Sequence, residues 1–282
     1  MADLGFDGKV AIITGGGGGL GRSHALDLAQ RGALVVVNDL GGSVDGTGGS
    51  ATAAQRVVDE IVAAGGEAVA NHDSVATPEG GAAIVAAAIE AFGRVDIVVN
   101  NAGILRDKAF HNMTPDLVDP VLDVHLRGAF HVTLPAWKHM REQSYGRVVS
   151  TASAAGIFGN FGQANYGAAK MGLVGLTRVL AVEGARFNIL ANAIAPVAKT
   201  RMTEDLFGDA MDALTPETVT PIVTYLAHED CEVTGEVYSV GGGRVARIFI
   251  GVTPGVVDAA LTAESVRDNL AAIRATDGFA IP

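Results

Sequence analysis

The chain has 282 residues, of which 49% are hydrophobic and only 5% aromatic, so Ala, Val, Ile and Leu must form the core. This length fits one α/β domain with a single continuous core. A formal net charge of −11 excludes broad nucleic-acid binding, which needs clustered Lys and Arg. The single cysteine, Cys231, excludes an intrachain disulfide and a cysteine-based metal site, and we expect no metal.

The expected location of the protein follows from three further features. The first ten residues carry acidic side chains and lead into a predicted strand, without the basic patch and apolar run of a secretory signal. The stretch richest in small apolar residues, 82–92, contains Glu90 and is too short to span a bilayer. The lone cysteine fits a reducing compartment. We therefore expect a soluble, cytoplasmic protein with no membrane partner.

Short β-branched runs alternate with helical patterns along most of the chain. The predicted strands fall at 10–13, 34–37, 68–70, 95–99, 147–150, 189–194 and 236–240. Apolar residues recur at helical spacing from Ala53 to Val62, and residues 164–183 form a second helical pattern. This alternation predicts an α/β fold: one Rossmann-like, doubly wound domain with a seven-stranded parallel sheet. Ligands then bind beyond the carboxyl ends of the strands.

The strand pattern ends after residues 241–243, so we predict two parts. Residues 1–243 form the dinucleotide-binding and catalytic domain, and residues 244–282 form a C-terminal extension. In the extension, Thr262 is the expected N-cap of a terminal helix. Val266, Leu270 and Ile273 mark its apolar face. The extension packs either on the same body or on a partner subunit.

A glycine-rich segment, Thr14–Gly21, follows the first strand and opens a helix. Glycines in this context let the backbone approach a pyrophosphate at the positive end of the helix. A flexible loop is the alternative interpretation. The residues expected to bind the dinucleotide here are Gly15, Gly19, Leu20 and Gly21.

Asp39 ends the second strand about 20 residues beyond these glycines, where a carboxylate accepts the ribose hydroxyls of an adenosine. It would repel a 2′-phosphate, so the pattern predicts NAD as the cofactor. The alternative is that Asp39 only starts a turn. A second glycine-rich stretch, 41–49, either drapes over the adenosine end of the cofactor or is merely flexible.

Tyr166 and Lys170 lie four residues apart in a helical pattern, so both side chains project from one face. A phenol has an ordinary pKa near ~10, and a neighbouring ammonium makes the phenolate accessible nearer neutrality. Tyr166 could then act as an acid or base. Ser153, just after the fifth strand, could bind a substrate oxygen beside the phenol. An ordinary exposed helix pair is the alternative.

Together, the glycine motif, Asn100–Gly103, Ser153 and the Tyr166/Lys170 pair resemble the short-chain dehydrogenase/reductase family over residues 7–243. The resemblance implies catalysis by Ser153, Tyr166 and Lys170, with the last two also binding the cofactor. It implies further cofactor contacts from Asp73, Ser74, Asn101, Gly103 and Thr200. Here Pro196–Val197 replaces the family's usual Pro-Gly, which puts the path to Thr200 in doubt.

A closer resemblance runs through Val35–Gly42, Asn101–Asp107, Val124–Gly128 and Gly159–Tyr166. These segments are similar to the dehydrogenase units of the peroxisomal multifunctional enzyme type 2 family, also called 17β-hydroxysteroid dehydrogenase type 4. The resemblance implies NAD-dependent oxidation of a (3R)-hydroxyacyl-CoA, which could carry a steroid side chain, or of a 17β-hydroxysteroid. It also implies a homodimer or homotetramer built through helices around 115–140 and 164–183.

His125 departs from the wider family, which commonly has Asn there to anchor a proton-relay water. It could support that relay through its backbone or side chain, or be an ordinary helix residue. Two other functions compete with the dehydrogenase. One is a 3-oxoacyl thioester reductase of lipid synthesis, although Asp39 disfavours its usual NADPH. The other is a catalytically silent NAD-sensing or scaffold protein, which an intact catalytic set disfavours.

Overall fold

The computed structural model describes residues 3–198 and 214–281, and the chain divides into two compact units, Met1–Ala246 and Arg247–Pro282. An eight-stranded sheet forms the centre of the first unit. Its strands are β1 (Val10–Thr14), β2 (Leu34–Asn38), β3 (Glu67–Asn71), β4 (Ile97–Asn100), β5 (Gly146–Thr151), β6 (Ile189–Pro196), β7 (Val237–Gly241) and β8 (Arg244–Ile248). Their order across the sheet is β3-β2-β1-β4-β5-β6-β7-β8, and the sheet is parallel from β1 to β7.

The apolar composition of the strands explains why they form this sheet. β1 reads Val-Ala-Ile-Ile-Thr and is buried along its whole length, as parallel strands covered by helices on both faces must be. It pairs in parallel with β2, where Val10 lies opposite Leu34, and with β4. The strand order reverses between β1 and β4. A crevice for a ligand is therefore expected at the carboxyl ends of these two strands.

Helices connect the strands and cover both faces. They are α1 (Gly19–Gln30), α2 (Thr52–Ala63), α3 (Pro78–Phe92), α4 (Pro115–Leu122), α5 (Gly128–Gln143), α6 (Ala154–Phe158), α7 (Ala164–Gly184) and α8 (Thr220–Ala227). The ends of α3 show how sequence sets their bounds. Thr77 Oγ1 accepts a hydrogen bond from Gly80 N at 3.1 Å, and Pro78 suits the first turn because it lacks an N–H. Gly93, with φ of 78°, ends the helix.

Two apolar clusters hold the helices to the sheet. Ile12 and Ile13 of β1 illustrate the division, because successive strand residues point to opposite faces. Ile13 packs into one cluster with Leu28 of α1, and Ile12 packs into the other with Met140 of α5. Burial of each such side chain contributes roughly 1.5–3 kcal/mol relative to exposure. The predicted α/β, doubly wound fold is confirmed.

The sheet has eight strands rather than the predicted seven. β7 and β8 are joined through Gly242 and Gly243, whose φ angles of 57° and 78° fit a two-residue hairpin turn. The sequence pattern here indicated the end of the sheet. β8 was not predicted because it is a short edge strand in which Arg244, Val245 and Arg247 are exposed, so it lacks a buried apolar run.

The second unit contains two short helices, α9 (Ala263–Asp268) and α10 (Leu270–Ile273), instead of one terminal helix. Thr262 is the N-cap of α9, as predicted, and forms a capping box with Ser265. The interruption falls at Asn269, whose φ of −101° and ψ of 10° depart from helical values. Ser265 O accepts hydrogen bonds from both Asn269 N at 3.0 Å and Asn269 Nδ2 at 2.8 Å. The predicted domain boundary at residue 243 and the packing of the extension stay predictions.

Two of the broader expectations concern membrane insertion and metal binding. In the part of the chain that the structure describes, no helix is long and apolar enough to cross a membrane. Within the same residues, no group of three or more His, Cys, Asp or Glu side chains is arranged to hold a metal ion. Cys231 is a buried free thiol, and burial raises its pKa.

Candidate active site

A cleft opens at the carboxyl end of the sheet, where the strand order reverses. It brings together twelve of the residues predicted to bind the cofactor or to catalyse. These are Gly15, Gly19, Leu20, Asp39, Asp73, Ser74, Asn101, Gly103, His125, Ser153, Tyr166 and Lys170. Gly21 is buried and does not line the cleft. Thr200 lies outside the described residues.

The glycine-rich segment forms one wall of this cleft and leads into α1. Its N-cap residue, Gly18, has no side chain to cap the helix, so the positive end of α1 is left open. Asn101 fixes the loop, because its Nδ2 donates to Thr14 O at 3.0 Å and to Gly15 O at 3.2 Å. The family resemblance implied a ribose contact for Asn101, whereas here its amide hydrogens hold the loop in place.

Asp39 stands at the far end of the cleft and is held by two backbone groups. Its carboxylate accepts hydrogen bonds from Gly17 N at 2.8 Å and from Gly41 N at 2.7 Å. These contacts fix the carboxylate between the two glycine-rich loops. Four residues of the second loop, Gly42, Ser43, Val44 and Gly46, also line the cleft. The 41–49 stretch was expected either to cover the adenosine end of the cofactor or to be merely flexible. Its position in the cleft wall favours the first interpretation.

A buried amide pair beneath the cleft was not predicted from the sequence. Asn38 Nδ2 donates to Asn71 Oδ1 at 2.8 Å and to Asp73 O at 2.9 Å. Asn71 Nδ2 donates in turn to the Asp73 carboxylate at 2.8 Å. The signal was available, since Asn38 and Asn71 each end a strand and both are buried, where an unpaired amide would be costly. This pair positions Asp73 at the cleft.

Ser153, Tyr166 and Lys170 meet where β5, α6 and α7 converge. Ser153 is the N-cap of α6, and its Oγ accepts from Ala155 N at 3.2 Å. Lys170 is 2% exposed, and its Nζ donates to Thr151 O at the end of β5 and lies 5.4 Å from the centroid of the Tyr166 ring. The three side chains thus meet at one corner of the cleft, although neither strand nor helix alone could place them there.

The pKa of the Tyr166 phenol is raised, because burial disfavours the charged phenolate. A hydrogen bond with Ser153 opposes this shift but does not cancel it. Burial also lowers the pKa of the Lys170 ammonium to about 7. Burial therefore sets the direction of the phenol pKa, and the expected lowering by Lys170, whose Nζ donates to Thr151 O, does not outweigh it.

His125 lies in a π-helical turn, Asp123–Arg127, between α4 and α5. Its ring meets the Tyr166 ring edge-on, with centroids 5.1 Å apart. Nε2 lies 3.0 Å from Ile104 N and 2.8 Å from Ile104 O, so the tautomer decides whether it accepts or donates. A Cβ at Gly103 would lie 2.3 Å from His125 Cε1, so this contact requires glycine.

The electrostatics of His125 follow from its burial, since the residue is only 4% exposed. Burial holds its pKa well below the ordinary value, and the nearby Lys170 ammonium lowers it further. The ring is therefore neutral at physiological pH. The ring contacts the phenol and lines the cleft, which favours a supporting role over an ordinary helix residue, and that role stays a prediction.

The unused hydrogen-bonding capacity of the cleft fits a dinucleotide. Lys170 Nζ can donate three hydrogen bonds, but Thr151 O is its one acceptor among the described residues. In the same part of the chain, Thr151 Oγ1 and His125 Nδ1 are buried without a partner. Ribose hydroxyls suit such groups, and the open end of α1 suits a diphosphate. When bound, a nicotinamide dinucleotide supplies hydride transfer.

Comparisons with curated proteins agree with this geometry. The family model described as short chain dehydrogenase matches residues 9–210. A short-chain type dehydrogenase/reductase of Mycobacterium tuberculosis is 57% identical over 87% of this chain and 86% of its own length. Peroxisomal multifunctional enzyme type 2 of Mus musculus is 51% identical over 94% of this chain but only 36% of its own length. A hydroxyacyl-CoA dehydrogenase of M. tuberculosis is 41% identical over 86% of this chain and 80% of its own.

Solved structures agree as well. A short chain dehydrogenase from Mycobacterium avium has a TM-score of 0.85 and 43% identity, covering 96% of this chain and 98% of its own. A 7α-hydroxysteroid dehydrogenase in complex with NADH and 7-oxo glycochenodeoxycholic acid has a TM-score of 0.77 and 29% identity, covering 86% and 98%. Enzymes of this family typically use NAD or NADP, act on small molecules and are usually oligomeric. The chain belongs to the short-chain dehydrogenase family and is an oxidoreductase with relatives that include a hydroxyacyl-CoA dehydrogenase.

Proposed function

We propose that the protein is an NAD-dependent dehydrogenase that oxidises the secondary alcohol of a hydroxyacyl-CoA to a ketone in lipid or steroid catabolism. The observation that carries this proposal is the meeting of Ser153, Tyr166 and Lys170 in one cleft whose lining also includes Asp39. Such a cleft can bind a dinucleotide along its length and an alcohol at its catalytic end. The relatives named as hydroxyacyl-CoA dehydrogenase and multifunctional enzyme support the substrate class.

NAD is favoured over NADP by the environment of Asp39. Its carboxylate is fixed by Gly17 N and Gly41 N, so it cannot readily swing away from a ligand. Fixed negative charge accepts hydroxyl donors and repels a phosphate at the same place. Asp39 would thus bind the adenosine ribose hydroxyls, and Lys170 would bind those of the second ribose.

In the proposed reaction, Ser153 Oγ and Tyr166 Oη hold the substrate hydroxyl by hydrogen bonds. The Tyr166 phenolate takes the hydroxyl proton, and the carbinol carbon would give its hydride to bound NAD. Lys170 stabilises the phenolate, and His125 contacts the Tyr166 ring edge-on. Because burial raises the pKa of Tyr166, oxidation should become faster as pH rises above neutrality. Ketone reduction needs the protonated phenol and should show the opposite dependence.

An apolar acyl or steroid body fits the surface near the catalytic corner. Phe110, Phe158 and Phe161 are 80%, 73% and 88% exposed, the highest values among the described phenylalanines. α6 begins at Ser153 and ends at Phe158, and Lys108 N donates to Gly162 O at 2.8 Å, which brings the other two segments together. Exposed aromatic side chains beside a polar reaction centre suit an apolar body with one oxygen function.

The decisive experiment measures NADH formation by purified protein with a (3R)-hydroxyacyl-CoA, a steroid-bearing hydroxyacyl-CoA and a free 17β-hydroxysteroid, each with NAD and with NADP. We expect turnover of a CoA ester with NAD. Turnover of the free steroid alone would replace the acyl-CoA substrate by a steroid. A preference for NADP would overturn the role of Asp39 and favour a 3-oxoacyl thioester reductase. Tight NAD binding without any turnover would favour a silent sensor or scaffold.

We propose a homodimer or homotetramer formed through α5 and α7. Both helices expose large apolar side chains: Phe130 and Leu134 on α5 are 48% and 63% exposed, and Val179 and Val182 on α7 are 54% and 79% exposed. Analytical ultracentrifugation of wild type and of Leu134→Glu tests this assembly, and an unchanged mass would contradict it. The cytoplasmic localisation stays a prediction that cell fractionation can test.

A further inference from the structure

Asn165, the residue before Tyr166, is 2% exposed, and both ends of its side-chain amide are used. Its Oδ1 accepts from Tyr166 N at 2.8 Å. Its Nδ2 donates to Arg106 O at 2.9 Å and to Leu117 O of α4 at 2.7 Å. One buried amide therefore connects the backbone of Tyr166 to two other parts of the cleft wall.

This position is unusual for asparagine. Asn165 lies in the first turn of α7, where the first backbone N–H groups have no partner within the helix. The N-cap residue, Gln163, makes no side-chain capping bond, so Asn165 satisfies the Tyr166 N–H in its place. Asparagine is otherwise a poor helix residue, because its amide competes for backbone groups. Here that competition fixes the residue that follows.

Asn165 binds the segment Ile104–Arg106, which is itself fixed by further hydrogen bonds. Pro120 lacks an N–H, which frees the Asp116 carbonyl within α4, and Arg106 Nη1 donates to that carbonyl at 2.7 Å. Arg106 Nε also donates to Asp45 O at 2.9 Å, in the loop that borders the cleft.

His125 binds the other end of this segment by hydrogen bonding to the backbone of Ile104, and its ring contacts the Tyr166 ring. Two buried polar side chains thus join the Ile104–Arg106 segment to Tyr166, one through the tyrosine backbone and one through its ring.

We propose that Asn165 is a positioning residue for the dehydrogenase reaction: its amide fixes Tyr166 against the Ile104–Arg106 segment, with His125 as the second support. This inference rests on the proposed function, since the reaction supplies the main readout. A shift of about 1 Å in an acid or base can lower a rate by ~10²-fold. The effect should therefore appear in kcat rather than in dinucleotide affinity.

Asn192 offers a matched control. It is 1% exposed, its Nδ2 donates to Val233 O at 2.8 Å, and its Oδ1 accepts from Glu236 N at 3.1 Å, far from the cleft in sequence and absent from its lining. We expect Asn165→Ala to lower kcat by ~10- to 100-fold while the Kd for NADH changes less than ~3-fold. Asn192→Ala should keep kcat within ~2-fold of wild type, even if its thermal stability falls as much as that of Asn165→Ala. Equal kcat losses in both variants would overturn the proposal.

A spectroscopic titration keeps the test independent of turnover. Absorbance of tyrosinate, with Tyr166→Phe subtracted, reports the phenol pKa without any substrate. Burial raises this pKa, so loosening the residue in Asn165→Ala should lower it towards ~10, while Asn192→Ala leaves it unchanged. An unmoved pKa in Asn165→Ala would contradict the positioning role. Wild type that oxidises no alcohol would instead refute the proposed function alone.

Two further variants test how Asn165 acts and whether it acts together with His125. Asn165→Ser retains a hydroxyl that can serve one of the three partners, so its kcat should lie between wild type and Asn165→Ala, and it replaces Asn165→Ala if that variant does not fold. The double variant Asn165→Ala with His125→Asn tests the shared segment. We expect a combined loss smaller than the product of the two single losses. A combined loss equal to that product would show that the two residues act separately.

Discussion

Two tyrosines lie beside cations at opposite ends of the sheet, and only one of them faces the cleft. Tyr145, at the amino end of β5, has Lys9 Nζ 4.1 Å and the Arg147 guanidinium 4.4 Å from its ring centroid. Tyr166, at the carboxyl end, has Lys170 Nζ at 5.4 Å. Burial raises the pKa of both phenols, that of Tyr145 to about 12. Cations near a phenol therefore do not distinguish the catalytic end from the structural end.

The difference lies in what surrounds each pair. Arg147 is 2% exposed and donates to four backbone carbonyls, so its hydrogen-bonding capacity goes to the fold. Lys170 is equally buried but donates to Thr151 O alone among the described acceptors, and Ser153 stands beside the phenol. At the carboxyl end of the sheet, a buried donor thus remains available to a ligand. At the amino end, the buried donors of Arg147 are used by backbone carbonyls. Buried hydrogen-bond donors that lack a protein acceptor therefore identify the site better than a cation close to a phenol does.

The largest expected effect separates the two phenols. Tyr166→Phe should lower kcat by ~10³-fold or more, because proton transfer by a positioned group contributes ~10²–10⁴-fold. NADH binding, followed by fluorescence, should persist. Tyr145→Phe is the matched control and should keep kcat within ~2-fold. Retained turnover in Tyr166→Phe would show that this phenol does not move the proton.

The second prediction compares the two buried cations. Lys170→Met should lower kcat by ~10²-fold, because a stabilising charge beside the phenolate is lost. Arg147→Met should instead lower the free energy of unfolding by about 2–4 kcal/mol, because it leaves buried carbonyls without donors, while kcat of the folded fraction persists. Steady-state kinetics with urea unfolding checks both. A loss of stability without a loss of kcat in Lys170→Met, or a loss of kcat in folded Arg147→Met, would contradict this prediction.

Lys170 also predicts a pH dependence of stability. Its pKa is about 7 in the folded protein and near 10.5 when unfolded, so between these values the unfolded chain holds more protons. Stability should therefore rise with pH through this window, by at most roughly 5 kcal/mol at ~1.4 kcal/mol per pH unit. Lys170→Met should be more stable than wild type at pH 7, with the difference shrinking towards pH 10. A constant difference would contradict the burial of a charge at this position.

The third prediction compares two carboxylates. Asp39→Asn should lower the preference for NAD over NADP by ~10- to 100-fold, since the charge that repels a 2′-phosphate is gone. Asp96, at the amino end, is fully buried, accepts from Val10 N at 2.9 Å and pairs with Arg94. Asp96→Asn should cost about 1–3 kcal/mol of stability and leave the cofactor preference unchanged. Cofactor preference is the ratio of kcat/KM with the two dinucleotides.

Sequence alone predicted most of the fold, because its signals are local. Periods of two and 3.6 residues placed β1 to β7 and α2 and α7, and motif spacing brought Asp39, Ser153 and Tyr166 to one edge of the sheet. β8 was missed because the pattern of an edge strand with two arginines lacks a continuous apolar run. The break at Asn269 is a change in the backbone angles of one residue, which the spacing of apolar residues does not register.

The features of the site that sequence could not predict depend on burial and on distant contacts. The direction of the Tyr166 pKa was predicted wrongly, because spacing shows that Lys170 is near but not that both groups are buried. Asn165 and His125 reach Ile104–Arg106 across 21 to 59 positions of the chain. Pairings over such separations need the fold, since no local pattern encodes them.

The smallest expected effect concerns the stability of the structural end. Tyr145 Oη is buried and has no hydrogen-bond partner among the described residues. Tyr145→Phe removes this hydroxyl but keeps the ring face that Lys9 and Arg147 contact. The free energy of unfolding should therefore stay equal to that of wild type or rise by up to about 1 kcal/mol, because a buried unpaired polar group is no longer desolvated. A loss above about 1 kcal/mol in urea unfolding would mean that the hydroxyl stabilises the fold, and the amino end would then also hold polar capacity beyond its backbone contacts.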